Sequence, residues 1–259
     1  MEAFGAVQIV GPKWCGKTTT SKQFAKSSIE VDRLCTSPGG AEKLALLPDS
    51  ILSGEKPCLI DEWQLVPGIW DAVRRDVDRE NASGLFILTG SSAVDSAEIM
   101  HSGAGRIGTI RMRTMSLHES GNSTGGISLL DLFQSVDKIS DYTENGTEAI
   151  ARLLVLGGWP GMFGKSDAAV RKIVEGYCDR ISHGISERPG EFNLSSEKMA
   201  AIMTSLSRNV STTASKASLL GDAASSGCTM SISSLDRYLS YLRRNYVIED
   251  LPHWSPKLR

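Results

Sequence analysis

Gly11-Pro12-Lys13-Trp14-Cys15-Gly16-Lys17-Thr18 fits the pattern G-x-x-x-x-G-K-[ST] at every fixed position. Phosphate binding needs this arrangement. Glycines let successive backbone N–H groups turn inward on an anion, and the start of a following helix adds its positive end. Lys17 would then reach the β- and γ-phosphates, the Thr18 hydroxyl would ligate Mg²⁺, and Thr19 is a further nucleotide-binding candidate. The competing reading is a plain glycine-bearing turn between a strand and a helix.

A Mg²⁺-nucleotide also needs a carboxylate at the end of a neighbouring buried strand. Cys58-Leu59-Ile60-Asp61-Glu62 offers two. Asp61 would hold the Mg²⁺ through its water shell, and Glu62 would polarise the attacking water. The alternative is a pair of surface acids. A second acid also favours hydrolysis over phosphotransfer to a small molecule. Leu85-Phe86-Ile87-Leu88 runs into Thr89-Gly90-Ser91-Ser92, so Thr89 or Ser91 is the candidate hydroxyl beside the γ-phosphate; a simple Gly/Ser turn is the rival.

These residues need a scaffold, and the pattern supplies one. The short apolar runs Ala6–Val10, Cys58–Ile60 and Leu85–Leu88 read as buried parallel strands, and Ile69, Val73 and Val77 as the stripe of a crossover helix. Beyond the polar segment Glu119–Gly126 the texture turns helical. Val170, Ile173, Val174, Tyr177 and Ile181 form one stripe; Met199, Ile202, Met203 and Leu206 form another. A short helix is expected around Ser215–Ala224 and a stronger one from Ser233. Trp63, Trp70 and Trp254 are read as core or interface residues rather than stacking platforms.

The 259 residues are 41% hydrophobic and 22% charged, an ordinary globular composition. A net charge of -2 does not advertise a polyanionic partner. Five scattered cysteines without a CxxC pair argue against a disulfide framework or zinc site and fit a cytoplasmic location. The four histidines have no metal-ligand spacing. No apolar run reaches the ~20 residues of a membrane span.

Taken in order, GPKWCGKTT, LIDEWQLVP, FILTGSS, AGRI, MSLHES and GGWPG resemble the prokaryotic AAA+ ATPases in which a P-loop core and winged helix precede a nuclease-like C-terminal domain. LIDEWQ and LTGSS are the most specific blocks. The resemblance implies an α/β fold: a P-loop AAA+ core with a five-stranded parallel sheet over residues 1–125, a small helical lid over 126–195, and a winged helix-turn-helix over 196–259. Relatives carry more chain before the first strand and after the winged helix, so a fragment or natural truncation lacking the C-terminal domain is expected. By resemblance, Arg106 would face a γ-phosphate in its own subunit or in a neighbour's within a homo-oligomer; a surface salt bridge is the alternative. Arg111 and Arg113 read as one face of the strand that follows. The G-x-P core of Gly158-Trp159-Pro160 resembles the motif that related signalling ATPases place against the nucleotide; a helix terminator is the alternative.

The last helix has a second candidate role. Ser233-x-x-Asp236 resembles a capping box, and Leu235, Tyr238, Leu239 and Leu242 would form its buried stripe. Ser234, Arg237, Tyr241 and Arg244 would then form an opposite, DNA-facing side. Residues 196–259 hold eight Lys/Arg against five Asp/Glu, a modest local positive excess. A packing or protein-contact module is the other reading. The expected function is an ATP-binding and ATP-hydrolysing AAA+ switch, with ATP and Mg²⁺ as ligands. A nucleotide-binding regulator with little turnover and a P-loop kinase are the alternatives.

Overall fold

The structure is a computed structural model and describes residues 2–90, 101–134, 145–184 and 194–252. Ser91, Ser92 and Trp254, singled out above, lie outside these residues.

The N-terminal half is a five-stranded, all-parallel sheet. Its strands are β1 (Ala6–Val10), β2 (Ser27–Glu30), β3 (Cys58–Asp61), β4 (Phe86–Gly90) and β5 (Ile107–Arg111), in the order β2-β3-β4-β1-β5. The three strands legible as apolar runs sit together at the centre; β4 is buried along its whole length, and β1 and β3 over most of theirs. β2 has one apolar residue, Ile29, within Ser-Ser-Ile-Glu; as an edge strand it needs no more. Register sets the site: Thr89 lies opposite Ile9 on one side and Asp61 on the other, and Arg111 lies opposite Val10.

The short helices α1 (Lys17–Lys22) and α2 (Val31–Thr36) and the longer α4 (Gly68–Glu80) pack on the sheet, and α3 (Gly40–Leu46) packs on α2. Ile69, Val73 and Val77 are buried in the main core with Trp63 and Trp70, whose rings lie 5.1 Å apart. The expected stripe and the core tryptophans are therefore seen.

The C-terminal half consists of helices α5 (Leu129–Gln134), α6 (Thr147–Leu156), α7 (Asp167–His183), α8 (Ser196–Arg208), α9 (Lys216–Ser225) and α10 (Ile232–Arg244). Each of the last four starts at a serine (Ser166, Ser195, Ser215 and Ser231) whose hydroxyl accepts a backbone N–H three residues on. Such a cap stabilises a helix by about 1 kcal/mol. For α10 this corrects the sequence reading: Ser231, not Ser233, is the cap. The two serines compete for the same role, and the Ser231 hydroxyl reaches the Ser234 N–H.

Ile181 of α7 joins Met199, Ile202, Leu219, Leu235 and Leu242 in one hydrophobic cluster, so the core of the last three helices begins in α7. All regular elements among the described residues after 194 are helices. No helix among the described residues is long and apolar enough to cross a membrane.

Candidate functional site

The loop after β1 has the backbone that the glycine pattern demands. At Gly11, φ is 155°, and a Cβ there would lie 2.1 Å from the Met112 carbonyl oxygen, so only glycine fits. Trp14 and Gly16 take φ values of 71° and 100°, which turn the chain before α1 begins. Lys17 is buried, and its ammonium donates to the carbonyls of Gly11 (2.9 Å) and Pro12 (2.8 Å). Burial pushes the Lys17 pKa down, against the opposing pull of Cys15, Glu62 and Asp61. A buried ammonium held by two carbonyls of its own loop is chemically able to exchange them for the oxygens of an anion.

Thr18 and Asp61 meet across the loop. The Thr18 hydroxyl donates to Asp61 at 3.1 Å (Oδ1) and 3.0 Å (Oδ2). The Thr89 hydroxyl donates to Asp61 from the other side. That follows from the sheet order, because β4 lies between β1 and β3. These are hard oxygen donors with a single carboxylate, which suits Mg²⁺; that ion keeps several waters and takes its remaining oxygens from phosphates. Among the described residues no group of three or more His, Cys, Asp or Glu gathers as a metal cage.

Glu62 follows β3 with φ 54°, a left-handed value unusual for a side chain larger than glycine. Glu62 lines a cleft of about 530 Å³, and its carboxylate accepts a hydrogen bond from the Gln64 amide. One wall of the cleft is the phosphate loop, from Lys13 to Thr19; the other is Trp159–Met162 with Lys165 and Ile173.

That second wall is tied to the first. Trp159 Nε1 donates to the Lys13 carbonyl at 3.2 Å. The Tyr177 ring stacks on Trp14 (centroids 5.9 Å apart, planes at 28°) and meets Trp159 edge-on at 5.1 Å. Burial, with smaller contributions from Cys15 and Cys178, pushes the Tyr177 hydroxyl up to about 12. Met115 N–H donates to the Gly158 carbonyl at 2.7 Å. Pro160 opens a 3₁₀ turn and faces Gly16, where an added Cβ would stand 3.7 Å from its ring.

Two expectations need correction. Arg106 precedes β5 and its carbonyl accepts from Ala6 N–H, at the start of β1. In a parallel sheet this is the end opposite the phosphate loop, roughly 15 Å away along the strand. Its guanidinium pairs instead with Asp78 of α4 at 2.7 Å. Arg106 therefore does not enter the phosphate site of its own chain. Tyr241 is buried at 4% exposure and packs in the cluster of α7–α10, so the expected DNA-facing side lacks its centre. Arg237 and Arg244 are exposed and Ser234 is half-buried. The α10 stripe of Leu235, Tyr238, Leu239 and Leu242 is buried as expected.

Arg111 and Arg113 do share one side of the chain leaving β5. Both pair with Glu249, beyond α10, at 3.2 Å and 2.5 Å. Arg111 also sits over the Tyr246 ring at 5.3 Å. Sequence reading missed Gln64, Trp159, Lys165, Tyr177 and Glu249. Gln64 stands within the LIDEWQ block, whereas Lys165 and Glu249 carry no local signal.

Residues 3–121 match the family model described as an AAA domain. Two uncharacterized proteins, one from Mycobacterium bovis and one from Mycobacterium tuberculosis, are each 32% identical over 120 residues. That stretch is 45% of this chain but 27% of the length of those relatives. The Walker-type ATPase of Pyrococcus abyssi is similar in structure, with a TM-score of 0.56 at 15% identity over 94% of this chain and 85% of that one. At such identity the likeness is one of fold.

Proposed function

We propose that this chain, with its AAA domain in the N-terminal half, is a Mg-ATP-binding and ATP-hydrolysing switch whose nucleotide state is passed to the C-terminal helices. The observation that carries this reading is the placing of Lys17, Thr18 and Glu62 on one cleft at the end of the sheet, with Asp61 and Thr89 bonded in a row behind Thr18.

In this reading the backbone from Gly11 to Thr19 wraps the phosphates, and Lys17 exchanges its carbonyl partners for phosphate oxygens. Thr18 and Asp61 hold Mg²⁺, which when bound neutralises phosphate charge. Thr89 keeps Asp61 oriented, and Glu62 takes the proton of the attacking water. Pro160 and Trp159 form the apolar wall beside the nucleotide. The assigned units are the core over residues 1–125, a lid over 126–195 and a winged helix over 196–259, of which α8–α10 are the helical part.

The switch reading rests on the two joints between the core and the C-terminal helices. One is the Trp14–Tyr177–Trp159 cluster at the phosphate loop; the other is Glu249 with Arg111 and Arg113. Phosphates that reorder the loop must move Trp14, and Tyr177 moves with it. Arg106, exposed on the far edge, is available to a neighbour's γ-phosphate in a homo-oligomer rather than to its own.

Phosphate release from ATP with no second substrate, with and without duplex DNA, tests the proposal. Sustained release supports hydrolysis. Tight binding without release supports a regulator with little turnover, and release only with an added acceptor supports a kinase.

A further inference from the structure

Gln64 is 3% exposed, in the 3₁₀ turn Trp63–Leu65 directly after Glu62. Packing alone does not call for it: Met or Leu would fill similar volume without desolvating an amide. The left-handed backbone at Glu62 folds the chain so that both side chains face the same way, and Gln64 Nε2 donates to Glu62 Oε2. Across the sheet, the tip of β4 leaves room for the same amide. A Cβ on Gly90 would lie 2.3 Å from Gln64 Oε1 and 3.0 Å from its Cδ. The amide thus rests on bare backbone next to Thr89, the residue that holds Asp61.

We propose that Gln64 is a positioning residue: clamped against Gly90, its amide fixes the carboxylate of Glu62 at the lip of the cleft, in the orientation from which it meets the attacking water. The assignment rests on the hydrolytic reading above. It links the two acids at the end of β3 to one strand tip, Asp61 through Thr89 and Glu62 through Gln64 and Gly90. Binding of the nucleotide itself does not involve Gln64, so its contribution falls on turnover.

The experiment measures steady-state ATP turnover and the affinity for a non-hydrolysable ATP analogue in the full chain. The variants are Gln64→Met, which keeps volume and removes the donor, and Gly90→Ala, which keeps the amide and displaces it. Each should lower kcat by about ten- to a hundredfold, the scale for a misplaced reacting group, with analogue affinity within about twofold of wild type. In a Glu62→Gln background, Gln64→Met should have no further effect on single-turnover rates, because it acts through the residue already removed. Unchanged kcat in both variants, a loss confined to affinity, or the same fold loss in the Glu62→Gln background would overturn the role. If Gln64→Met does not fold, Gly90→Ala decides by the same criteria. A wild type that binds ATP without turning it over would overturn the hydrolytic reading together with this role. A wild type that hydrolyses, alongside variants of equal kcat, would overturn this role alone.

Discussion

Trp159 donates its indole N–H to the backbone carbonyl of Lys13 at 3.2 Å, so a residue far along the chain is bonded to the phosphate loop itself. The bond sits at the mouth of the cleft, where the loop must adjust to phosphates. Trp159→Phe keeps an aromatic ring against Tyr177 and removes the donor. One net hydrogen bond stabilises by about 1 kcal/mol, so ATP affinity should change by roughly fivefold. Titration with a fluorescent ATP analogue checks this; an unchanged Kd would mean the bond reports on the loop without steering it.

Lys17→Ala should abolish tight Mg-ATP binding and leave the fold no less stable. The second expectation follows from burial, which works against the Lys17 charge. Calorimetric titration and thermal melting check the two halves separately. Wild-type affinity in the variant would remove the phosphate-loop assignment.

Glu62→Gln should bind ATP as the wild type does and turn it over about a hundredfold or more slowly, the scale for losing a general base. Single-turnover phosphate release is the measurement. An unaffected rate would place water activation elsewhere.

Arg106→Ala should leave ATP affinity intact, because the residue lies at the far end of the sheet and pairs with Asp78. Its effect on turnover should appear only in assemblies. Mixing Arg106→Ala with Glu62→Gln should then recover activity at shared interfaces. Absence of recovery, with a wild-type rate independent of protein concentration, would leave Arg106 a surface ion pair.

The joint at Glu249 should open in acid. The Arg113 hydrogen bond, helped by the charges of Arg111 and Arg113, holds the Glu249 pKa below the usual glutamate value of 4.5. A folded value below the unfolded one stabilises the joint at pH above the ordinary range. That contribution fades as pH falls through the folded value. The protection of amides 245–250, taken relative to intrinsic exchange at the same pH, should therefore fall as pH drops through the folded Glu249 value, and in high salt, where exposed pairs are screened. Glu249→Gln should show the faster exchange at neutral pH and lose the acid dependence. Equal protection in the variant would mean that packing of Tyr246 holds the joint.

The phosphate loop was legible because its chemistry is local: glycine positions, lysine and threonine are all fixed within eight residues. The acids after β3 and the stripe of α4 were legible for the same reason. Placement across strands was harder. Arg106 precedes its strand, and in a parallel sheet all residues preceding strands share the edge away from the loop; adjacency to an apolar run does not reveal that edge. Tyr241 falls opposite part of the expected α10 stripe on a helical wheel, yet α10 packs against both α8 and α9 and needs a wider buried face. Gln64 and Trp159 owe their positions to contacts across the fold, with Glu62 and Gly90 in one case and Lys13 in the other.

The place of β4 between β1 and β3 makes the site a matter of alignment as well as of side chains. Thr89 faces Asp61 only because one strand is held in step with both neighbours. A shift of a single residue would turn the threonine to the opposite face of the sheet and carry Gly90 out from under Gln64. All strands would survive such a slip, and each named residue would still be present in the chain. The connection from α4 into β4 can therefore vary in length and composition only while it delivers that strand in step, so a frame of reference set by the apolar core of β4 determines whether the polar groups above it meet.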